Sequence, residues 1–362
     1  MSKTTDKIPI ILDSGEKTIA QAPIIISASR STDIPAFYSD WFFERLKRGY
    51  SAWTNPFNGV TSYVSYANTR FIVFWSKNPL PLLRHLDYLS EKNIGCYIQY
   101  TLNDYENEGL EKGVPPLSER INTFKLLVNK LGKGHIIWRF DPMILTDKIT
   151  ISDLINKVKF IGDELKDYTE RLVFSFADIQ SYYKVKSNLT KNGIKYIEWD
   201  EQTMDEFAFL LSKMNKERGW NFTLATCGEK INLEQYGIMH NQCIDDSLII
   251  RFAYKDKTLM DFLRVEIKQN EYFAPSIFDE FETQPQIPKD AINLPSGLYA
   301  IKKKNNKDNG QRKFCGCVVS KDIGQYNTCP HLCEYCYANT SKESALNNYR
   351  KSKLNIFGET II

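Results

Sequence analysis

Along residues 23–253 the chain repeats one unit: a short apolar run rich in β-formers, a polar cluster, then a helical stretch. The runs are IIIS at Ile24, YSAWT at Tyr50, FIVFW at Phe71, CYIQYT at Cys96, HIIWRF at His135, RLVFSF at Arg171 and NFTLAT at Asn221. Several are continuous rather than alternating in polarity, as strands buried on both faces should be. Between them, PAFYSDWFFERLKRGY opens on Pro35 and carries Gly49 near its end, and LSERINTFKLLVNKLG has Ser118 near its start and Gly132 at its end, normal helix punctuation. Strand–helix alternation on this scale predicts an α/β fold with a parallel sheet and right-handed crossovers. Seven candidate strands favour a (β/α) barrel, complete or partial, over an open doubly wound sheet.

The polar clusters ASRSTD, NPFN, SKNP, QYTLND, RFDP, SFAD and TCGE close successive runs, and in a parallel barrel they emerge at one rim, where active sites sit. Taken singly, each is turn and helix-cap chemistry. Arg30, Lys77 and Arg139 are different, because turns do not call for cations directly at the ends of buried strands; together they predict a rim that holds an anionic or carboxylate-bearing ligand. Asp33, Asp141 and Asp178 are the matching candidates for a general base or a divalent-metal site, although no His-rich or paired-carboxylate motif accompanies them.

From residue 254 the alternation is lost. Prolines stand at 275, 285, 288 and 295, and KKKNNKDNGQRK follows, a run that reads first as a solvated loop. The expected organisation is therefore an N-terminal extension at 1–22, a barrel at 23–253, a connecting or covering segment at 254–310 and a C-terminal cysteine-rich module at 311–362, closed by a helix at SKESALNNYRKSK. A net charge of +3 over 362 residues permits a nucleic-acid partner without arguing for one. The first residues lack the apolar run of a signal peptide, and no stretch is apolar enough to span a membrane, so a cytoplasmic protein is expected.

In a reducing compartment, clustered thiols point to metal. Five of the eight cysteines crowd into residues 315–336. The stretch YNTCPHLCEYCYANTS places Cys329, Cys333 and Cys336 in a C-x3-C-x2-C spacing, which supplies three ligands where a structural zinc wants four. Three thiolates on a 4Fe–4S cubane leave the fourth iron open to a small molecule. His331, between two of them, reads as a loop residue pointing away. Cys315 and Cys317 form a C-x-C pair that needs two more ligands, and Cys227 and Cys243 are the plausible ones. That set would be a second metal site, 4Fe–4S or zinc, while Cys96 sits in an apolar run and reads as a core thiol.

CPHLCEYCYA, from Cys329 to Ala338, resembles the cluster loop of radical S-adenosylmethionine enzymes, closest to the branch related to spore photoproduct lyase. The resemblance implies a 4Fe–4S cluster on Cys329, Cys333 and Cys336, S-adenosylmethionine at its open iron, and Tyr335 bordering the adenosyl group. It further implies a reductant protein such as flavodoxin or ferredoxin. The lyase branch leans the substrate toward a nucleic acid or nucleotide. Most of the chain, through SASRSTDIPAFYSDWF, FWSKNP and DIGQYNTCPHLCEYCYAN, also resembles an uncharacterised bacterial family, domain of unknown function eighteen forty-eight. Radical enzymes usually carry the cysteine loop after the first barrel strand; here it follows the last, and a Gly-Gly-Glu-like segment is not evident. A circularly permuted barrel reconciles the order, with CVVSKD as the strand before the cluster. The competing expectations are a nucleic-acid-binding protein with a structural iron–sulfur or zinc site, and a hydrolase using the rim aspartates.

Overall fold

A computed structural model describes residues 6–55, 58–270, 287–312 and 314–362. Pro275 and Pro285 of the expected covering segment, and two residues of NPFN, lie outside the described residues.

Eight parallel strands form the central sheet. From one edge to the other they are Met239–His240, Thr223–Thr226, Arg171–Phe176, Ile136–Met143, Gly95–Thr101, Phe71–Ser76, Ile25–Ala28 and Lys321–Asp322. Spatial order thus follows chain order, except that the C-terminal strand docks on the first. The apolar runs build this sheet because both of its faces are covered. Ile26, Ile72, Phe74, Ile98, Trp138, Leu172 and Phe174 face one core, where the helices Ser39–Arg48, Leu117–Leu131, Ile151–Leu165 and Glu201–Glu217 pack. The alternate residues Ile25, Phe71, Val73, Tyr97, Ile137 and Val173 face a second core. That core is capped by the helices Asp246–Ala253 and Lys257–Leu263 and by the strand Leu298–Lys302.

This second layer is the physical reason the sheet does not close into the expected barrel. A barrel fills its interior with side chains from opposing strands, whereas here whole helices occupy that side. No ladder joins Met239–His240 to Lys321–Asp322 among the described residues. One backbone bond, from Val318 N to Ile244 O at 3.0 Å, links the segments beside the two edges.

One candidate barrel strand belongs elsewhere. Tyr50–Thr54, the YSAWT run, pairs antiparallel with Thr61–Ser65 in a four-stranded sheet completed by Lys17–Ala22 and Asp6–Ile11. Its first three residues are buried there, in a sheet separate from the parallel one. The segment after residue 254 contributes a small antiparallel sheet of Val265–Gln269, Leu298–Lys302 and Ile292–Asn293. The closing helix spans Lys342–Leu354, with Ser341 as its N-cap. Among the described residues no helix is long and apolar enough to cross a membrane.

Candidate functional site

The C-terminal ends of the parallel strands carry most of the chemistry predicted for the rim. Asp322, at the end of the last strand, locks that strand to the first turn. Its carboxylate accepts from Ser27 Oγ at 2.9 Å, Ser29 Oγ at 2.8 Å, Arg30 N at 2.9 Å and Gly324 N at 3.0 Å. The chain then crosses the rim as the cysteine loop.

That loop is fastened at several points. Gly113 N donates to His331 O at 2.8 Å, Glu334 N to Leu110 O at 2.9 Å and Asn339 Nδ2 to Cys329 O at 2.8 Å, and the Tyr38 hydroxyl donates to Thr328 O. His331 turns away from the thiols, as its position between them predicts. Its Nε2 meets Asp33 Oδ2 at 2.7 Å and its Nδ1 meets Gly113 O at 3.1 Å. Cys329, Cys333 and Cys336 are all partly buried. Burial pushes the Cys329 thiol up to about 12, with the Asp33 and Cys336 charges adding to it. Cys333 is raised further by burial despite the Lys77 ammonium. A bound cation would oppose both shifts by stabilising the thiolates directly.

Gly113 leaves no room between the loop and the rim. A Cβ there would stand 2.5 Å from Pro330 O and 2.7 Å from His331 O, both backbone atoms. Gly113→Ala is therefore expected to lower thermal stability by about 1–3 kcal/mol. An unchanged melting curve would show that the loop tolerates displacement.

Beneath the loop lies a buried polar network. Lys77 Nζ donates to Glu111 Oε1 at 2.7 Å and to the Tyr335 hydroxyl at 2.9 Å, and that hydroxyl donates to Glu111. Asn103 Nδ2 adds bonds to Glu111 at 3.0 Å and Tyr335 at 3.1 Å, while its Oδ1 accepts from Asp141 N at 2.9 Å. Burial opposes ionisation of Glu111, but the Lys77 and Arg120 charges outweigh it and pull its carboxyl down to about 2. Tyr335 is thus anchored at its hydroxyl, 8% exposed, with its ring against Tyr105.

The aspartates are committed to holding the rim together. Asp33 caps the Ile34–Phe37 turn through Ala36 N at 2.9 Å and accepts from Ser76 Oγ and Lys77 N, both at 2.7 Å. Asp141 is bound by Arg139 and Ser175, and Asp178 is exposed, accepting from Ser181 N at 3.2 Å. Glu229, which sequence reasoning passed over inside TCGE, is the unusual carboxylate. Burial, with Asp141 and Asp178 adding to it, raises its carboxyl to about 7 even though Phe176 N donates to it at 3.0 Å. Glu111 and Asn103 were missed as well: Glu111 lies well beyond the end of its strand, and Asn103, inside QYTLND, reads as turn chemistry.

A second thiol group sits at the same end of the sheet. Cys227 and Cys243 bring their Sγ atoms to 3.2 Å, and hydrogen bonding continues from Cys243 to Cys317 and from Cys317 to Cys315. Hydrogen bonds from the Cys227 and Cys317 thiols, backed by the Arg139 and Arg30 charges, draw Cys243 well below the usual thiol range. Arg30 and Arg139 flank the Trp75 ring at 5.3 and 5.2 Å and direct their guanidinium groups at this cluster. The three predicted rim cations therefore all have partners within the protein: a thiol for Arg30, Asp141 and a thiol for Arg139, and Glu111 for Lys77. Cys96 lies in the core, where burial raises its thiol to about 12. Among the described residues no three or more His, Cys, Asp or Glu side chains already surround a common point as metal ligands, so either group would have to close around an ion by side-chain rotation.

Fold and rim together define an α/β protein whose parallel strand ends carry two groups of cysteines, one of three and one of four. The chain belongs to the family described as Domain of unknown function (DUF1848), whose model matches residues 25–338 and so takes in both cysteine groups. No curated protein and no solved structure matches it.

Proposed function

We propose that the chain is an iron–sulfur enzyme of the radical S-adenosylmethionine type, holding a 4Fe–4S cluster on Cys329, Cys333 and Cys336 and acting on an anionic substrate, a nucleotide or nucleic acid. The observation that carries this reading is the donor set. Three thiols share one loop over the strand ends, His331 is committed on both ring nitrogens, and the other four rim cysteines are engaged with one another. Such a set fits a cubane with one iron left for a non-protein ligand. Bound there, cluster and S-adenosylmethionine would supply one-electron cleavage to methionine and a hydrogen-abstracting deoxyadenosyl radical, with a flavodoxin- or ferredoxin-like protein as electron source.

The chain's own residues hold the loop and receive the substrate. Lys77, Glu111, Asn103 and Tyr335 fix the loop from below and keep water out of the rim beside Cys333. The docking of Lys321–Asp322 on Ile25–Ala28 supports a circularly permuted arrangement, because the strand preceding the cysteine loop stands where a first strand would. For an anionic aromatic ligand the rim offers an exposed set: the Tyr182 and Tyr337 rings lie 6.2 Å apart, and Arg312 Nη1 donates to the Tyr182 hydroxyl at 2.8 Å. Stacking on aromatic rings beside an arginine is how bases are held without sequence readout.

The test is anaerobic purification followed by titration of the reduced protein with S-adenosylmethionine. Iron and acid-labile sulfide, a spectral change on titration, and release of 5′-deoxyadenosine are expected, all lost in the Cys329→Ala/Cys333→Ala/Cys336→Ala variant. A cluster that neither responds to the titrant nor yields deoxyadenosine above that variant would leave a structural iron–sulfur protein instead.

A further inference from the structure

The four remaining rim cysteines stand where the sheet fails to close. Cys227 follows the Thr223–Thr226 strand and Cys243 lies just beyond Met239–His240, while Cys315 and Cys317 lead toward Lys321–Asp322 at the opposite edge. The two segments already touch through Val318 N and Ile244 O. Between the paired thiols, a Cβ at Gly316 would meet Gln242 Cγ at 2.8 Å, so the C-x-C turn is pressed directly against the Cys243 segment.

Two of the four sulfurs, those of Cys243 and Cys317, collect N–H donors. Arg139 Nη1 and Asn241 Nδ2 donate to Cys243 Sγ at 3.3 and 3.4 Å, and Ile244 N and Arg30 Nη2 donate to Cys317 Sγ at 3.3 and 3.6 Å. Four N–H groups aimed at two sulfurs, two of them from guanidinium groups, have no purpose around neutral thiols, which are weak acceptors. Four thiolates on a divalent ion carry two net negative charges; Arg30 faces them, and Arg139 does so through Nη1 while its Nη2 is paired with Asp141. Outer hydrogen bonds of this kind orient the ligands of a metal site and tune it.

We infer that Cys227, Cys243, Cys315 and Cys317 hold one tetrahedral zinc ion that clasps the two open edges of the parallel sheet. Ligand softness selects zinc or iron, and spacing selects a single ion. Tetrahedral zinc with bonds of about 2.3 Å sets its sulfurs roughly 3.8 Å apart. The Cys227–Cys243 separation of 3.2 Å needs to open only slightly to reach that value. A cubane binds each thiolate through a separate iron, which spreads the sulfurs wider. The ion would join the strand ends where hydrogen bonding stops, and its binding would contribute directly to folding. This inference does not depend on the role of Cys329, Cys333 and Cys336.

The test is metal analysis of anaerobically purified full-length protein, with zinc X-ray absorption on the wild type. One zinc per chain in a four-sulfur shell at about 2.3 Å is expected, and it should persist in the Cys329→Ala/Cys333→Ala/Cys336→Ala variant. Cys315→Ser/Cys317→Ser should lose the zinc. Arg30→Gln should give it up to a chelator at a roughly 10- to 100-fold lower chelator concentration. If the double variant fails to fold, the absorption data on the wild type decide. Iron and sulfide in this site, a Cys227–Cys243 disulfide found by alkylation and mass spectrometry, or zinc lost with the triple alanine variant would each overturn the assignment.

Discussion

Replacing Glu111 by Leu is expected to cost about 3–5 kcal/mol of stability at neutral pH, because it leaves the Lys77 ammonium buried without its partner. The carboxylate is 6% exposed and accepts from Lys77, Tyr335 and Asn103, so the substitution also removes the acceptor around which three donors converge. The double variant Lys77→Met/Glu111→Leu should recover part of the loss, since no charge is then stranded. Urea denaturation of the wild type, both single variants and the double variant measures the coupling, and an additive cycle would mean the pair is not energetically linked. The pH dependence has a defined direction. Glu111 ionises near 2 in the fold against 4.5 in an unfolded chain. Its contribution is therefore complete above about pH 4.5 and is lost as the pH falls toward 2. Glu111→Leu should accordingly flatten the acid limb of the stability curve.

Gly324→Ala is expected to be similarly damaging. A Cβ at this position would lie 1.6 Å from Ser29 Oγ and 2.6 Å from Ser29 Cβ. Rotation of the Ser29 hydroxyl cannot relieve the second contact, so backbone must move. The loop that moves carries Trp53's acceptor, since Trp53 Nε1 donates to Gly324 O at 2.8 Å, and it leads directly into the cysteine loop. We expect destabilisation of about 1–3 kcal/mol from overpacking, more if the Asp322 clasp opens. Adding Ser29→Gly to Gly324→Ala should restore part of the loss by removing the Ser29 atoms, while the Ser31 Oγ contact at 2.5 Å remains and the Ser29–Asp322 bond is given up. If Gly324→Ala melts like the wild type, the contact between the last strand and the first turn is not a constraint on the fold.

The parallel sheet was legible in the chain because buried strands must be apolar on both faces. FIVFW, CYIQYT, HIIWRF and RLVFSF announce themselves for that reason, and each lies in the sheet. YSAWT has the same local character but pairs antiparallel outside it. A run of five residues records that it will be buried, not which neighbour will bury it. Sheet closure was equally out of reach, since it depends on the helix Asp246–Ala253 filling the space that a barrel keeps for side chains.

The candidate site divides along the same line. Spacing alone grouped Cys329, Cys333 and Cys336, because ligands on one short loop need no tertiary information to be close. The same local reading turned His331 away from them. Elimination assembled Cys227, Cys243, Cys315 and Cys317, and the fold brings them together across as many as 90 residues of chain. Arg30, Lys77 and Arg139 stand out in the sequence as cations at strand ends, yet the groups they meet include thiols and a carboxylate distant in sequence. Glu111 and Glu229 carried no local mark at all. A side chain's burial and the charges around it are properties of the packed whole, so a cation at a strand end or a glutamate in a loop acquires its chemistry when the distant segments meet over the rim.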